Sequence, residues 1–246
     1  MQFSVKADVA SFRRVFALMR DKQIRFATAV ALTKTAKAVE KEIIREIPRV
    51  FNRPTPYTLR STYVTPATKA RLSAEVKIKD HAVKGNPAIR FLSPGIHGGG
   101  RSLKGFERLL QRAGVMPDGW YAVPGSAVKL DAYGNVTGAT LVKILSALRA
   151  SSDSLQNRTG SKRSKRKAAT YFVALPGRTQ TRHLHPGIYR RQGAYGADIA
   201  PMFLFTKRRP QYRKRLRFYE IAERVTLMRF PMELRRAALM AQRTAR

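Results

Sequence analysis

Between residues 22 and 47, in KQIRFATAVALTKTAKAVEKEIIREI, the apolar side chains Leu32, Ala36, Val39, Ile43 and Ile47 follow one another at steps of 4, 3, 4 and 4. A helix of 3.6 residues per turn lines such positions up on one face, whereas a strand divides them between two. Lys34, Lys37, Lys41 and Arg45 fall largely on other faces, with Glu42 and Glu46 as their helical neighbours. The spacing predicts a helix about 39 Å long at 1.5 Å per residue. A helix of that length lies across a sheet or along a neighbouring subunit. Pro48 is expected to stop it, and NRPTP at 52–56 to mark the break.

After the break the period changes to two. Leu72, Ala74, Val76 and Ile78 alternate with Ser73, Glu75, Lys77 and Lys79, which predicts a half-buried strand partnered by STYVT just before it. Residues 85–150 are punctuated by Gly and Pro. Helices are expected at about 102–113 and 138–149, with a turn at LDAYGN where Asp131, Gly134 and Asn135 supply permissive side chains. Strands are then expected at 170–177, 185–191 and 201–208, joining the strands at 57–80 in one small antiparallel sheet. A second long helical segment, 212–242, closes the chain. Phe218, Ile221, Val225, Met228 and Met232 form its apolar face, and Pro231 is expected to kink it or begin a separate helix.

The fold expectation is therefore α+β: a small antiparallel sheet packed with long N-terminal and C-terminal helices, plus a helical and loop insertion. The segments are 1–84 (long helix and first strands), 85–169 (insertion) and 170–246 (remaining strands and last helix). With 43% apolar residues the chain has enough material for a sizeable core.

Charge sets the class of partner. The chain carries 49 Lys and Arg against 15 Asp and Glu, a formal net charge of +34. So large a charge repels itself and favours a polyanion or acidic neighbours. Two blocks concentrate it. Six of the ten residues from 158 to 167 are basic: Arg158, Lys162, Arg163, Lys165, Arg166 and Lys167. That polar stretch has nothing to bury and is expected to be mobile when unliganded. Seven of the eleven residues of KRRPQYRKRLR at 207–217 are basic, among them Lys207, Arg208, Arg209, Arg213, Lys214 and Arg215. Both blocks suit contact with a phosphate backbone or an acidic partner, without sequence recognition.

Catalytic patterns are sparse. There is no cysteine, which removes disulfides and thiolate chemistry. His183 and His185 have no companion ligands nearby, and Asp131 lacks the later carboxylates of a calcium loop. GIHGGGRS at 95–102 has the G-x-x-x-x-G-[basic]-S spacing of a phosphate loop, with Arg101 in the lysine position. No apolar strand ending in a magnesium-binding Asp accompanies it, and strand–helix alternation is missing. The glycines are better read as a sharp turn into a helix capped by Ser102, with Arg101 and Lys104 placed to meet an anion, either a phosphate or an acidic side chain of a neighbour. The expectation is a protein without enzymatic activity, cofactor or metal. The N-terminal residues lack a secretion signal's apolar core, and no run approaches the length of a membrane span, so a soluble, cytoplasmically made protein without membrane attachment is expected.

The segments AVALTKTAKAVEKEI, VFNRPTPYTLRSTYVTPATKARLSAEVKIKD, HPGIYRR and FPMELRRAAL, in that order, resemble tail-completion proteins of long-tailed bacteriophages, in particular the minor tail protein Z family of lambda-like phages. The likeness covers about 20–80 and 170–246 and rests on the order and character of the parts; 85–165 stands apart as an insertion. The resemblance implies a structural virion protein, a neck subunit assembled in the host cytoplasm and placed at the head-proximal end of the tail. It implies a ring, commonly sixfold, around the DNA channel. The implied partners are further copies of the chain, the tail terminator or tail tube, the head–tail connector and packaged DNA. The family offers no catalytic residues to carry over. The alternative is a non-specific nucleic-acid-binding protein outside a virion.

Overall fold

The computed structural model describes residues 2–6, 19–83, 85–157 and 161–243. In chain order its elements are β1 (Gln2–Lys6), α1 (Asp21–Val50), α2 (Pro56–Leu59), β2 (Thr62–Thr65), β3 (Ser73–Ile78), α3 (Ala88–His97), β4 (Gly99–Gly100), α4 (Gly105–Arg112), β5 (Tyr121–Pro124) and α5 (Gly138–Ala147). There follow α6 (Lys162–Ala168), β6 (Tyr171–Ala174), β7 (Gly187–Gln192), β8 (Asp198–Thr206), β9 (Gln211–Tyr212) and α7 (Phe218–Arg243). The architecture is α+β with long N-terminal and C-terminal helices and small antiparallel sheets. It divides into two units, the first made of residues 1–99 and 212–246, the second of 100–211.

In the first unit, β1, β3 and β2 form a three-stranded antiparallel sheet, with Phe3 and Val64 both opposite Val76. The stripe Leu32, Ala36, Val39, Ile43 and Ile47 of α1 is wholly buried against Ala74, Val76 and Ile78 of β3 and against Phe218, Ile221, Ala222 and Val225 of α7. A second apolar cluster joins Met19, Ala27 and Ala31 to Leu234, Ala237, Ala238 and Ala241. The early part of α1 thus meets the late part of α7 and the reverse, so the two helices run antiparallel. Alanines at the contact let their backbones approach closely.

Three expectations for this unit need correction. Pro48 does not stop α1 at once; the helix runs on to Val50, and Phe51 closes it by donating its N–H to the Ile47 carbonyl at 3.0 Å. Proline close to a helix end disturbs few remaining hydrogen bonds. The Gly- and Pro-punctuated run before GGG is helical: Ala88, Leu92 and Ile96 in α3 bury one face, with Pro94 inside. Pro231 lies within α7, which is one helix from Phe218 to Arg243, so no separate last helix begins there. The buried face changes sides around that proline. Phe218, Ile221 and Val225 are buried as expected, but Met228 and Met232 are 57% and 47% exposed, and Leu234, Ala237, Ala238 and Ala241 are buried instead. Nine residues separate Val225 from Leu234, about half a turn around the axis at 3.6 residues per turn.

The second unit holds a four-stranded antiparallel sheet in the order β5–β8–β7–β6. This corrects the single-sheet expectation. The strands expected at 170–208 pair with one another and, through β8, with Tyr121–Pro124, and never with β2 or β3. Val123, aligned opposite Leu204, supplies a fourth strand from within the segment read as an insertion, so the two sheets each satisfy their own backbone groups. Phe106 and Leu110 of α4, Ile144 and Leu145 of α5, and Ile188, Met202, Phe203 and Phe205 of the sheet make one core, with Trp120 packed at its margin. In β7, the HPGIYRR strand, Gly187 admits no side chain because a Cβ there would collide with the Phe203 carbonyl. Tyr189 two residues on is buried and donates its hydroxyl to the His185 carbonyl at 2.8 Å. The LDAYGN turn forms as expected, the Asp131 carboxylate accepting N–H bonds from Tyr133 and Asn135 at 2.9 and 2.8 Å.

Candidate nucleic-acid and partner interface

The cationic residues singled out by sequence meet three different fates. The first concerns the GIHGGGRS stretch. Gly98 and Gly99 adopt φ of 75° and 88°, a region that favours glycine, and turn the chain out of α3 into β4. They follow a helix and do not lead directly into one. The next helix, α4, starts at Gly105 with Lys104 as its cap residue, so the expected Ser102 cap is not formed.

Glu107, in the first turn of α4, is the group that organises this corner. Its side chain is 1% exposed and Arg101's is 10% exposed, and the guanidinium binds the carboxylate bidentately at 2.5 and 2.6 Å. The same carboxylate accepts N–H bonds from Lys104 at 2.6 Å and Ala122 at 2.9 Å. Burial alone pushes the Glu107 carboxyl up. The Arg101 hydrogen bonds, the two backbone donors and the guanidinium charge outweigh it and hold the group below the ordinary carboxylate range. The anion expected beside Arg101 is therefore Glu107 of the same chain, not a phosphate or a neighbour, which corrects that assignment. Lys104 keeps a solvent-exposed side chain, yet crowding by protein and then the Arg101 charge lower its pKa, with Glu107 opposing.

The second fate is partial engagement, in the 207–217 segment. The Lys207 ammonium lies 5.3 Å from the Trp120 ring centre. Arg209 donates to the carbonyls of Arg101 and Gly100 at 3.2 and 3.3 Å. Lys214 pairs with Glu220 at 2.5 Å, and Glu220 is held low by that hydrogen bond first of all. Arg208, Arg213 and Arg215 are exposed and make no ion pair among the described residues. Of the two subsegments, 207–211 belongs to the second unit and 212–217 to the first.

The third fate is exposure without neutralisation. In the 158–167 block the later part, Lys162–Ala168, is helical as α6, opened by the Ser161 hydroxyl accepting the Ser164 N–H at 3.1 Å. Ser164 and Ala168 are half-buried there, so the segment does have something to cover. Lys162, Lys165 and Arg166 stand at i, i+3 and i+4, which places them on one face, and all three are exposed. Arg163 and Lys167 belong to the same helix, while Arg158 lies outside the described residues. No carboxylate lies within ion-pair distance of Lys162, Lys165 or Arg166 among the described residues.

Sequence reasoning missed a groove in the second unit, about 1000 Å³ in volume, whose lining includes Arg178, Arg191, His183, Gln180 and Phe172 and no acidic residue. The Arg191 guanidinium sits 4.8 Å above the Phe172 ring. Its only signal in the sequence is the density of cations in RTQTRHLHPGIYRR, split over separate elements. No group of three or more His, Asp or Glu side chains able to hold a metal occurs among the described residues, and no helix there is long and apolar enough to cross a membrane. No protein-family model, curated protein or solved structure matches the chain.

Proposed function

We propose that the chain is a structural virion protein, a tail-completion or neck subunit that forms a ring at the head-proximal end of a long phage tail and joins the tail tube to the head–tail connector around the DNA channel. The observation that carries this reading is the unneutralised basic face of α6 together with the exposed cations at Arg208, Arg213 and Arg215, on a chain whose two units are built around packed helices and sheets. With 15 acids against 49 bases, most cations lack a carboxylate of their own and seek one elsewhere. Packaged DNA and acidic neighbouring proteins both supply anions. The order of parts in the sequence, long helix, alternating strand, PGIY strand and basic terminal helix, supports the same reading. In it the chain has no enzymatic role and needs no cofactor.

A second reading, non-specific nucleic-acid binding outside a virion, is favoured by one feature alone, the all-cationic exposed face of α6. Negative-stain imaging and a salt-dependent gel shift on the purified full chain separate the two. Rings, sixfold in the simplest case, with weak DNA affinity support the neck subunit. A monomer binding duplex DNA tightly, with a steep fall in affinity as salt rises, overturns it in favour of the second reading.

A further inference from the structure

The apolar positions of α7 form a longer pattern than the first unit consumes. Phe218, Ile221, Val225, Met228, Met232 and Leu239 step by 3, 4, 3, 4 and 7 residues, which is a seam of heptad spacing interrupted at Arg235. The first three are buried in the core formed with α1 and β3. The last three are not: Met228 is 57% exposed, Met232 47% and Leu239 52%. The cause is the change of side around Pro231. Beyond it α7 turns Leu234, Ala237, Ala238 and Ala241 onto α1, leaving the original stripe facing outward. The open part runs eleven residues, about 16 Å along the axis.

The flanks of this seam are uniform in charge. Arg224 precedes it, and Arg229, Arg236 and Arg243 recur every seven residues at the position next to it; all four are exposed. The one acid within this stretch, Glu233, has a side chain only 13% exposed and already faces Lys34 at 3.9 Å and Arg236 at 3.5 Å. The surface therefore offers unbranched, adaptable methionines and a leucine beside arginines, of which Arg224, Arg229 and Arg243 make no ion pair among the described residues.

We propose that this half of α7 docks an amphipathic helix of another protein, one whose apolar seam is bordered by glutamate or aspartate. Charge complementarity decides the occupant. A facing helix with carboxylates at its own flanking positions pairs with Arg229 and Arg243, and shares Arg236 with Glu233, while its leucines cover Met228, Met232 and Leu239. A second copy laid on the same stripe sets arginine against arginine and is disfavoured. A nucleic acid satisfies the arginines but leaves the apolar side chains wet. The inference stands on the geometry of α7 and does not rest on the virion reading.

The test uses the full chain and a three-heptad helical peptide with Leu at the seam and Glu on both flanks, followed by fluorescence anisotropy at about physiological salt. Because any acidic peptide is drawn to a +34 chain, a scrambled peptide of identical composition is the reference. The ordered peptide is expected to bind at least tenfold more tightly than the scrambled one. That preference is expected to vanish in the triple variant Met228→Ser, Met232→Ser, Leu239→Ser, whose unchanged circular dichroism shows that the fold is kept. Equal binding of the two peptides, or a preference that survives the triple substitution, overturns the proposal. Self-association of the wild type in sedimentation that the triple variant abolishes reassigns the stripe to a second copy. Binding to phosphatidylserine vesicles abolished by the triple variant, without any peptide preference, reassigns it to a membrane surface.

Discussion

Ile43 in the first unit and Glu107 in the second are both wholly buried, yet they hold their surroundings by opposite means. Around Ile43 the interior is apolar, helix against sheet and helix against helix. Its stabilisation is non-directional and grows with the area removed from water. Around Glu107 a carboxylate ties together Arg101, the start of α4 and the strand β5 through four hydrogen bonds. Such a hub is directional: its hydrogen bonds fix where Arg101, the start of α4 and β5 stand, and removing the acceptor takes away all four bonds at once. Two parts of one chain therefore differ in how they respond to acid and to truncation.

The only tryptophan, Trp120, packs on the second unit's core, while the longest helices, α1 and α7, lie in the first. Indole fluorescence thus reports one unit and far-ultraviolet circular dichroism mainly the other. The largest effect is expected for Glu107→Ala, which leaves Arg101 buried without that carboxylate and two backbone N–H groups unmatched. Removing one member of such a pair costs about 3–5 kcal/mol, and the urea midpoint read by Trp120 should fall steeply. Phe218→Ala, which empties a fully buried site in the other unit, is expected to cost about 3–5 kcal/mol as well. It should appear in the helical signal and leave the Trp120 transition where it was. A shift of both signals by either variant would show that the two units unfold as one and would break the comparison.

Acid sharpens it further. The folded Glu107 carboxyl titrates below its unfolded value near 4.5, so the stability it supplies is complete above that pH and is lost as pH falls through the folded pKa. The Trp120 transition should weaken on acidification below about pH 4.5, and Glu107→Gln should flatten that dependence. In the first unit Glu75 and Glu220 are also held low, by hydrogen bonds from Lys77 and Lys214 respectively, and solvent screens the half-exposed Glu220. If Glu107→Gln keeps the full acid dependence, the hub is not its source.

Smaller effects follow. Thr137 caps α5 by accepting the Thr140 N–H at 3.3 Å, and Thr137→Ala is expected to cost about 1 kcal/mol, again in the Trp120 transition. Replacing Lys162, Lys165 and Arg166 with Ser should leave both transitions in place. If α6 tracks DNA, the replacement lowers affinity and makes the slope of log affinity against log salt shallower by about 0.9 for each phosphate no longer neutralised; an unchanged slope would remove α6 from the interface.

Much of the first unit was legible because its elements announce themselves in period. Steps of 3 and 4 mark α1 and the start of α7, and steps of 2 mark β3, whatever they pack against. The candidate site was legible in composition and poorly legible in geometry. Arg101, Arg209 and Arg166 look alike in a basic sequence, yet Arg101 closes on a carboxylate six residues away, Arg209 on two carbonyls more than a hundred residues away, and Arg166 is exposed to solvent. Pairing at that range leaves no periodic trace. The same reason hid the strand β5, four residues long and recognisable only by its partner β8.

The sequence by itself determined the long helices, the alternating strand, the LDAYGN turn and the positive excess, since each follows from local spacing, side-chain chemistry or a simple count. Only the tertiary structure decided which strands share a sheet, which cations are left open, and which side of α7 is buried beyond Pro231. Those outcomes depend on long-range hydrogen bonding and packing, where the free energy belongs to a pair of distant segments and to neither one alone.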